Sequence, residues 1–278
     1  MTRTISLVIL SASLLALAPA AEAGRGGNFA KIRAAAQNGS PDAIVAELER
    51  AERIPCSDEC MRFILDLTQH ESYYVRDAAA WWFARHPAQK GAVEQRAVAA
   101  LATGNSVEVR NAADALGRVG HPRDIADLDA ALSRSALSDE ARAHVVRAIG
   151  KLAHASGAAA LEGAMSDSSP LVRREAITAW SALLRQNSAA PVVALVTDTD
   201  VSVRRAASQA VGRFREASAR AALEELVVSD ADAAVRRNAA WALGRIGDAG
   251  SRSALTTAAS DSSSLVRMTA KAALRQLR

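Results

Sequence analysis

The sequence predicts an all-α fold, a right-handed α-solenoid of about seven helical-hairpin repeats. A small residue follows six of seven recurrent apolar anchors, and Ala or Val lies four residues before each anchor. Ala and Leu dominate the composition, which favours helix. A period of 31 to 33 residues is typical of stacked units that cannot bury their apolar faces alone. The anchors that define this period are Phe83, Leu116, Ile149, Trp180, Val211, Leu243 and Leu274.

Residues 1–23 precede the repeats and predict a secretory signal peptide. Arg3 supplies the positive start, residues 5–17 are apolar, and Ala21-Glu22-Ala23 is a small-x-small cleavage site. The alternative is a membrane anchor, but the apolar run is shorter than the roughly 20 residues of a typical span. We therefore expect an exported protein, periplasmic or secreted, with no stable membrane insertion after cleavage.

Residues 24–71 predict an irregular helical cap ahead of the repeats. A short helix over 29–37 is followed by a break, and Ser40 with Pro41 begins a second helix that runs to about Arg53. Residues 57–68 form the third predicted helix. The cap thus differs in spacing from the solenoid that follows it over 72–278.

Cys56 and Cys60 are the two cysteines of the chain. In an exported protein a single pair favours a disulfide. With Ser57 capping a helix, the two side chains can approach each other across its first turn. Free thiols, a metal clip and a redox pair remain the alternatives at this stage.

Two helices are predicted in each repeat. The first carries the anchor and is called the anchor helix, and the second helix is shorter. Turn signals such as Gly120-His121-Pro122 separate the two helices. The predicted anchor helices are 72–85, 106–119, 138–153, 169–185, 201–214, 232–246 and 263–277. The predicted second helices are 91–102, 123–133, 156–166, 188–196, 218–228 and 249–258.

An Arg stands seven residues before the anchor in six of the seven repeats. That position points partly inward, and a buried guanidinium must be paired. The residues are Arg76, Arg142, Arg173, Arg204, Arg236 and Arg267, and Asp167, Asp198, Asp230 and Asp261 lie six residues before four of them. We predict a structural ladder that links successive repeats, with Arg204 and Asp198 as one example. The alternative is an anion-binding stripe.

The pattern Asp-x4-Val-Arg-Arg-x-Ala-x3-(Val/Leu)-Gly resembles HEAT repeats, especially the HEAT-like class of the phycobilin lyases. Residues 198–212 and 230–247 fit it best, whereas His70 and Val109 depart from it in the first two repeats. The resemblance covers 72–278 and implies an α-solenoid that usually binds proteins. HEAT-like di-iron hydroxylases carry several His-Glu pairs, but His70-Glu71 is the one pair in this sequence.

A second Arg column lies six residues before the anchors, where no acidic residue repeats opposite it. Its members are Arg110, Arg174, Arg205 and Arg237. Five of the ten aromatic residues are concentrated nearby, namely Tyr73, Tyr74, Trp81, Trp82 and Phe83. Because Trp and Arg are favoured at binding hot spots, we predict partner binding through Tyr74, Trp81, Trp82, Arg110 and Arg174. The alternative is that Trp81 and Trp82 cover the N-terminal helices.

The sequence predicts no catalytic, cofactor or metal site. It has no Gly-rich phosphate loop, nucleophile elbow or spaced set of zinc ligands, and we expect His144 at the surface. The formal charge of +4 is mildly basic, and an exported chain does not meet nucleic acid. We predict a non-catalytic scaffold or adaptor for a protein of the cell envelope. The alternative is a lyase-type or cofactor-maturation factor that holds a ligand in its concave groove.

Overall fold

The computed structural model describes residues 27–53, 55–183 and 188–277. The predicted signal peptide, 1–23, lies outside the described residues. Within them every regular element is helical and no strand occurs, which confirms the predicted α-solenoid. A bilayer-spanning helix is likewise absent from the part of the chain that the structure describes.

Three helices form the N-terminal cap: α1 (Gly27–Gln37), α2 (Pro41–Arg50) and α3 (Asp58–Leu67). Ser40 caps α2, since its hydroxyl accepts a hydrogen bond from the Ala43 amide at 3.4 Å. Ser57 caps α3 in the same way through the Cys60 amide at 3.3 Å. The apolar residues of the cap form a core cluster with the first anchor helix.

Anchor helices alternate with second helices through the rest of the described chain. The anchor helices are α4 (Tyr73–Ala84), α6 (Ser106–Val119), α8 (Asp139–Leu152), α10 (Pro170–Trp180), α11 (Val201–Phe214), α13 (Ala233–Ile246) and α15 (Ser264–Leu274). The second helices are α5 (Pro87–Thr103), α7 (Ile125–Leu132), α9 (Ala158–Ala164), α12 (Arg220–Ser229) and α14 (Arg252–Ala258). Their apolar faces enclose one core that continues from Ala97 to Ala273.

The fourth repeat departs from the prediction. Its anchor helix ends at Trp180, and the second helix expected over 188–196 is a 3-10 helix, Ala190–Thr197. Pro191 and the three valines within this stretch are poor α-helix formers. Val192 and Val196 are nevertheless buried, so the segment still contributes to the core.

The glycine that follows four of the anchors has a packing role. A Cβ placed on Gly150, Gly212 or Gly244 would lie 2.8 Å from the Cα of an Ala in the next anchor helix. These positions therefore bring neighbouring anchor helices into close contact. The sequence pattern of an anchor followed by Gly is thus a pattern for helix-to-helix packing between repeats.

The anchor helices line the concave face of the solenoid. Successive anchor helices contact one another much more extensively than successive second helices do, so the stack is narrower on the anchor side. In agreement, the Lys151 Nζ lies 3.4 Å from the Tyr73 Oη although the two residues are two repeats apart. Side chains that point away from the core on the anchor helices therefore line a shared groove.

Candidate functional site

The Arg residues seven positions before the anchors form a ladder between repeats. Arg173 donates from Nε and Nη2 to the two carboxylate oxygens of Asp198, at 2.8 and 2.7 Å. Its Nη1 donates to the backbone carbonyls of Asp167 and Ser168, at 2.9 and 3.0 Å. Each guanidinium thus joins the turn of its own repeat to the turn of the next. The same pairing joins Arg142 to Asp167, Arg204 to Asp230, and Arg236 to Asp261.

The ladder is largely shielded from water, and this shielding affects the pKa values of its carboxylates. Burial raises the pKa of Asp198, but the hydrogen bonds from Arg173 and from the Asp200 amide outweigh it, so the pKa falls below its ordinary value. The bidentate pairing occupies the edge of the guanidinium that an anionic ligand would need. The geometry therefore fits a structural ladder and not an anion-binding stripe.

The predicted pairing of Arg204 with Asp198 is wrong. Arg173 binds the Asp198 carboxylate, and Arg204 binds the carboxylate of Asp230 in the next repeat. From its own repeat Arg204 reaches the backbone carbonyl of Asp198, at 2.9 Å. The side chain extends along the solenoid axis, so the carboxylate it meets comes from the following turn. Arg267, in the last described repeat, donates to the carbonyls of Asp261 and Ser262.

The first repeat replaces the ladder with a buried network. No Asp stands at the ladder position of the second repeat, and Arg76 instead binds Asp114 of α6, with its Nη2 2.8 Å from Oδ2. Both side chains are buried. The other oxygen of Asp114 lies 2.6 Å from the His144 Nδ1. His144 is therefore largely buried and hydrogen-bonded, and its predicted surface position is wrong.

Charged contacts continue from this network along the concave face. Arg147 binds Glu175 of the next anchor helix, with its Nη2 3.1 Å from Oε1. Glu175 also contacts Arg174 at 3.3 Å. The charges of Arg147, Arg174 and Glu175 are therefore paired within the protein, and these side chains are already held in position.

No acidic residue recurs opposite the second Arg column, but the inference that the column has no matching acid is wrong for three of its members. Arg110 binds Glu140 at 3.2 Å, Arg174 binds Glu175, and Arg205 binds Asp232. Each acid lies at a different position in its repeat, so the sequence period does not reveal them. Within the described residues, the remaining member, Arg237, contacts no carboxylate and donates to the side-chain oxygen of its neighbour Asn238.

The aromatic cluster is mostly core. Trp82 is 1% exposed, donates from Nε1 to the Ala51 carbonyl at 3.2 Å and stacks on His86. The prediction that Trp82 binds a partner is therefore wrong, because its ring seals the first repeat against the cap. Trp81 is partly buried against the same cluster. Tyr74, at 72% exposure, is the accessible aromatic residue of the predicted set.

A more open set of residues lies at the other end of the concave face. Trp241 is 38% exposed and occupies the same position relative to its anchor as Trp81. Gln209, Arg237, Asn238 and Thr269 line a pocket with it, about 270 Å³ in volume, and these five residues are named the C-terminal groove. They come from three successive anchor helices. The predicted site omitted this groove because no single repeat contains it.

The apolar surface extends beyond the groove on the same anchor helix that carries Thr269. Leu265 and Met268 of α15 are both exposed, Met268 to 67%. Large exposed apolar side chains on one face are typical of interaction surfaces. The end of the concave face therefore presents an indole, a thioether and a guanidinium without a carboxylate partner in the described structure.

Cys56 and Cys60 are joined by a disulfide in the structure, with their Cα atoms 5.5 Å apart. The bond closes the first turn of α3, whose N-cap is Ser57. It lies in the cap cluster and away from the C-terminal groove, so its contribution is to the conformation of the cap.

Comparison with known proteins agrees with this architecture. Residues 189–275 match the family model of HEAT repeats. The fold is thus an α-solenoid, and residues 189–275 of it resemble HEAT repeats. No curated protein matches the sequence.

Among solved structures, the Escherichia coli protein YibA superposes with a TM-score of 0.57 at 14% identity, covering 91% of this chain and 93% of YibA. A chain of the Kap95p–RanGDP complex gives 0.58 at 13% identity, covering 90% of this chain and 41% of that one. The phycocyanin lyase complex of CpcE and CpcF from Nostoc sp. gives 0.43 at 20% identity, covering 81% of this chain and 89% of that one. For YibA and the Kap95p–RanGDP chain, the likeness at these identities concerns the fold alone.

Proposed function

We propose that this protein is an exported, non-catalytic scaffold that binds another protein through its concave face. The observation that carries the proposal is the C-terminal groove, where Trp241 is exposed beside Arg237. HEAT-like repeats commonly mediate protein binding, and this groove joins an exposed indole to polar side chains of three anchor helices. Partner binding therefore centres on α13 and α15, and not on the aromatic cluster of the first repeat.

The chemistry of the groove favours recognition over catalysis. Its lining groups are two amides, a hydroxyl, a guanidinium and an indole. None of them is a carboxylate, imidazole or thiol, the groups that most often transfer protons or attack as nucleophiles. Trp and Arg are the residues whose truncation most often weakens a protein interface. The groove therefore suits a segment that combines an apolar side chain with an acidic one.

The test compares two variants that each remove one exposed apolar side chain. Trp241→Ala alters the groove, and Val228→Ala alters an exposed residue of the second helix α12. Residues 24–278 are immobilised, envelope proteins are captured and identified, and the affinity of each purified partner is measured. We expect Trp241→Ala to weaken binding by about 30-fold, equivalent to about 2 kcal/mol, and Val228→Ala to change it little.

A partner that binds both variants as well as the wild-type protein contradicts the assignment of the groove. Loss of binding in both variants also contradicts it, because the effect is then not specific to the concave face. Circular dichroism melts of the variants exclude unfolding as the cause.

A ligand-binding maturation factor is the second candidate function. The observation that favours it is the convergence of polar side chains from three repeats, Gln209, Asn238 and Thr269, on one pocket. Native mass spectrometry of the protein purified from its own envelope distinguishes the two functions. A bound small molecule that is lost in Trp241→Ala supports the maturation factor. A chain that carries no small molecule but captures a partner protein supports the scaffold.

Export is a separate part of the proposal. The positive start, apolar stretch and small-x-small site of residues 1–23 support it, together with the cysteine pair. Intact-mass measurement of the natural protein should find a chain that begins at Gly24. A chain in the cytoplasm that retains residues 1–23 would contradict export and leave the assignment of the groove intact.

A further inference from the structure

Two buried carboxylates and one imidazole converge on the side of the solenoid that carries the second helices. Glu94 belongs to α5, whereas His121 and Asp124 belong to the turn after α6. One potential ligand atom from each residue lies within 4.8 Å of the others. The groups thus come from two successive repeats. The position is separate from the C-terminal groove and from the ladder.

In the part of the chain that the structure describes, one nitrogen of the imidazole makes no hydrogen bond and lies within ion-pair distance of Glu94. The His121 side chain is 43% exposed, but its Nδ1 atom is buried and makes no hydrogen bond within the described residues. It lies 3.4 Å from the Glu94 Oε1. A buried polar atom without a partner is uncommon in folded proteins and requires an explanation. A cation between the imidazole and the carboxylates would bind this nitrogen with the ring proton on Nε2, and Lys90 would then move away from Nε2.

The turn holds its two ligands in position before any ion arrives. The His121 amide donates to Asp124 Oδ2 at 2.7 Å, which fixes the carboxylate beside the imidazole. Asp124 is buried, as is Glu94. Side chains that are held in this way lose little conformational entropy when they bind a metal.

Two basic side chains neutralise the cluster when no ion is bound. Arg123 binds Glu94, with its Nε 3.0 Å from Oε1, and the Lys90 Nζ lies 3.3 Å from the His121 Nε2. The Arg123 side chain is 71% exposed, so it can move into water without disturbing the core. A metal ion would therefore compete with Arg123 for Glu94.

We propose that Glu94, His121 and Asp124 form a binding site for a divalent transition-metal ion of the zinc class, which fastens the first repeat to the second. One imidazole nitrogen with two carboxylate oxygens suits Zn²⁺, with water completing the coordination. Ca²⁺ and Mg²⁺ prefer ligand sets made of oxygen alone. The site is structural, because binding joins α5 to the turn that precedes α7.

The test titrates ZnCl₂ into tag-free, chelator-treated residues 24–278 by isothermal titration calorimetry, with CaCl₂ as the comparison ion. We expect one saturable zinc site per chain and a higher melting temperature with zinc. His121→Ala should weaken zinc binding by about tenfold or more. His154→Ala is the matched control, because His154 is exposed and caps the corresponding turn of the next repeat.

Arg123→Gln provides a test that does not depend on removing a ligand. Because Arg123 competes for Glu94, this variant should bind zinc more tightly than the wild-type protein. The proposal is overturned if no saturable zinc site is found, if His121→Ala binds zinc as tightly as His154→Ala, or if Arg123→Gln leaves the affinity unchanged or lowers it.

Discussion

Arg204→Ala tests the ladder at a position where the structure defines every contact. The substitution removes two hydrogen bonds to the Asp230 carboxylate, at 2.7 and 3.3 Å. It also removes one bond each to the carbonyls of Asp198 and Thr199. The Asp230 side chain is 3% exposed, so its charge remains inside the protein without a cation.

The expected cost follows from this burial. Removing one partner of a buried ion pair destabilises a protein by about 3–5 kcal/mol. Arg204 itself is near the surface, so we expect about 3 kcal/mol, the lower end of that range. Arg205 forms an exposed pair with Asp232 and is itself 46% exposed. Arg205→Ala should therefore cost at most about 1 kcal/mol.

Guanidinium unfolding followed by circular dichroism measures both variants under the same conditions. The stability of a solenoid is approximately a sum over repeats and their interfaces. Hydrogen exchange of α11 and α13 therefore locates the loss. Adding Asp230→Asn to Arg204→Ala removes the stranded charge and should restore part of the stability. Equal losses for Arg204→Ala and Arg205→Ala, or no restoration in the double variant, would refute the ladder as described.

Gly212→Ala should cost about 1–3 kcal/mol because its Cβ would lie 2.8 Å from the Cα of the next anchor helix. Gly91→Ala has open space around it in a long helix and should instead stabilise by about 0.5–1 kcal/mol in the same unfolding assay. The pKa values of Asp167, Asp198 and Asp261 lie below the ordinary 3.8, so in acid the unfolded chain binds more protons than the folded one. The melting temperature should therefore stay constant above that pH and fall as the pH drops below it. A melting temperature that does not change in acid contradicts the ladder. Mass spectrometry of exported protein alkylated before reduction should find no label on Cys56 or Cys60, and two labels would exclude the disulfide.

The sequence by itself determined the repeat, its register and its helical character. An apolar anchor such as Leu243, the Gly that follows it and the Arg seven residues earlier recur at a fixed spacing. They recur because each repeat makes the same contacts with its neighbours. The helix starts at Ser40 and Ser57 were predictable for a similar reason, since a cap depends on a few residues that are adjacent in the chain.

Only the tertiary structure decided which groups meet. Arg204 binds the carboxylate of the following repeat, and Trp82 is buried because the cap folds over it. The C-terminal groove combines side chains of three anchor helices, and the Nδ1 atom of His121 lies 3.4 Å from Glu94 of another repeat. Such contacts depend on the rise and curvature of the stack. The residues that recur in a periodic sequence determine the fold of each repeat. The contacts between repeats also depend on residues that do not recur.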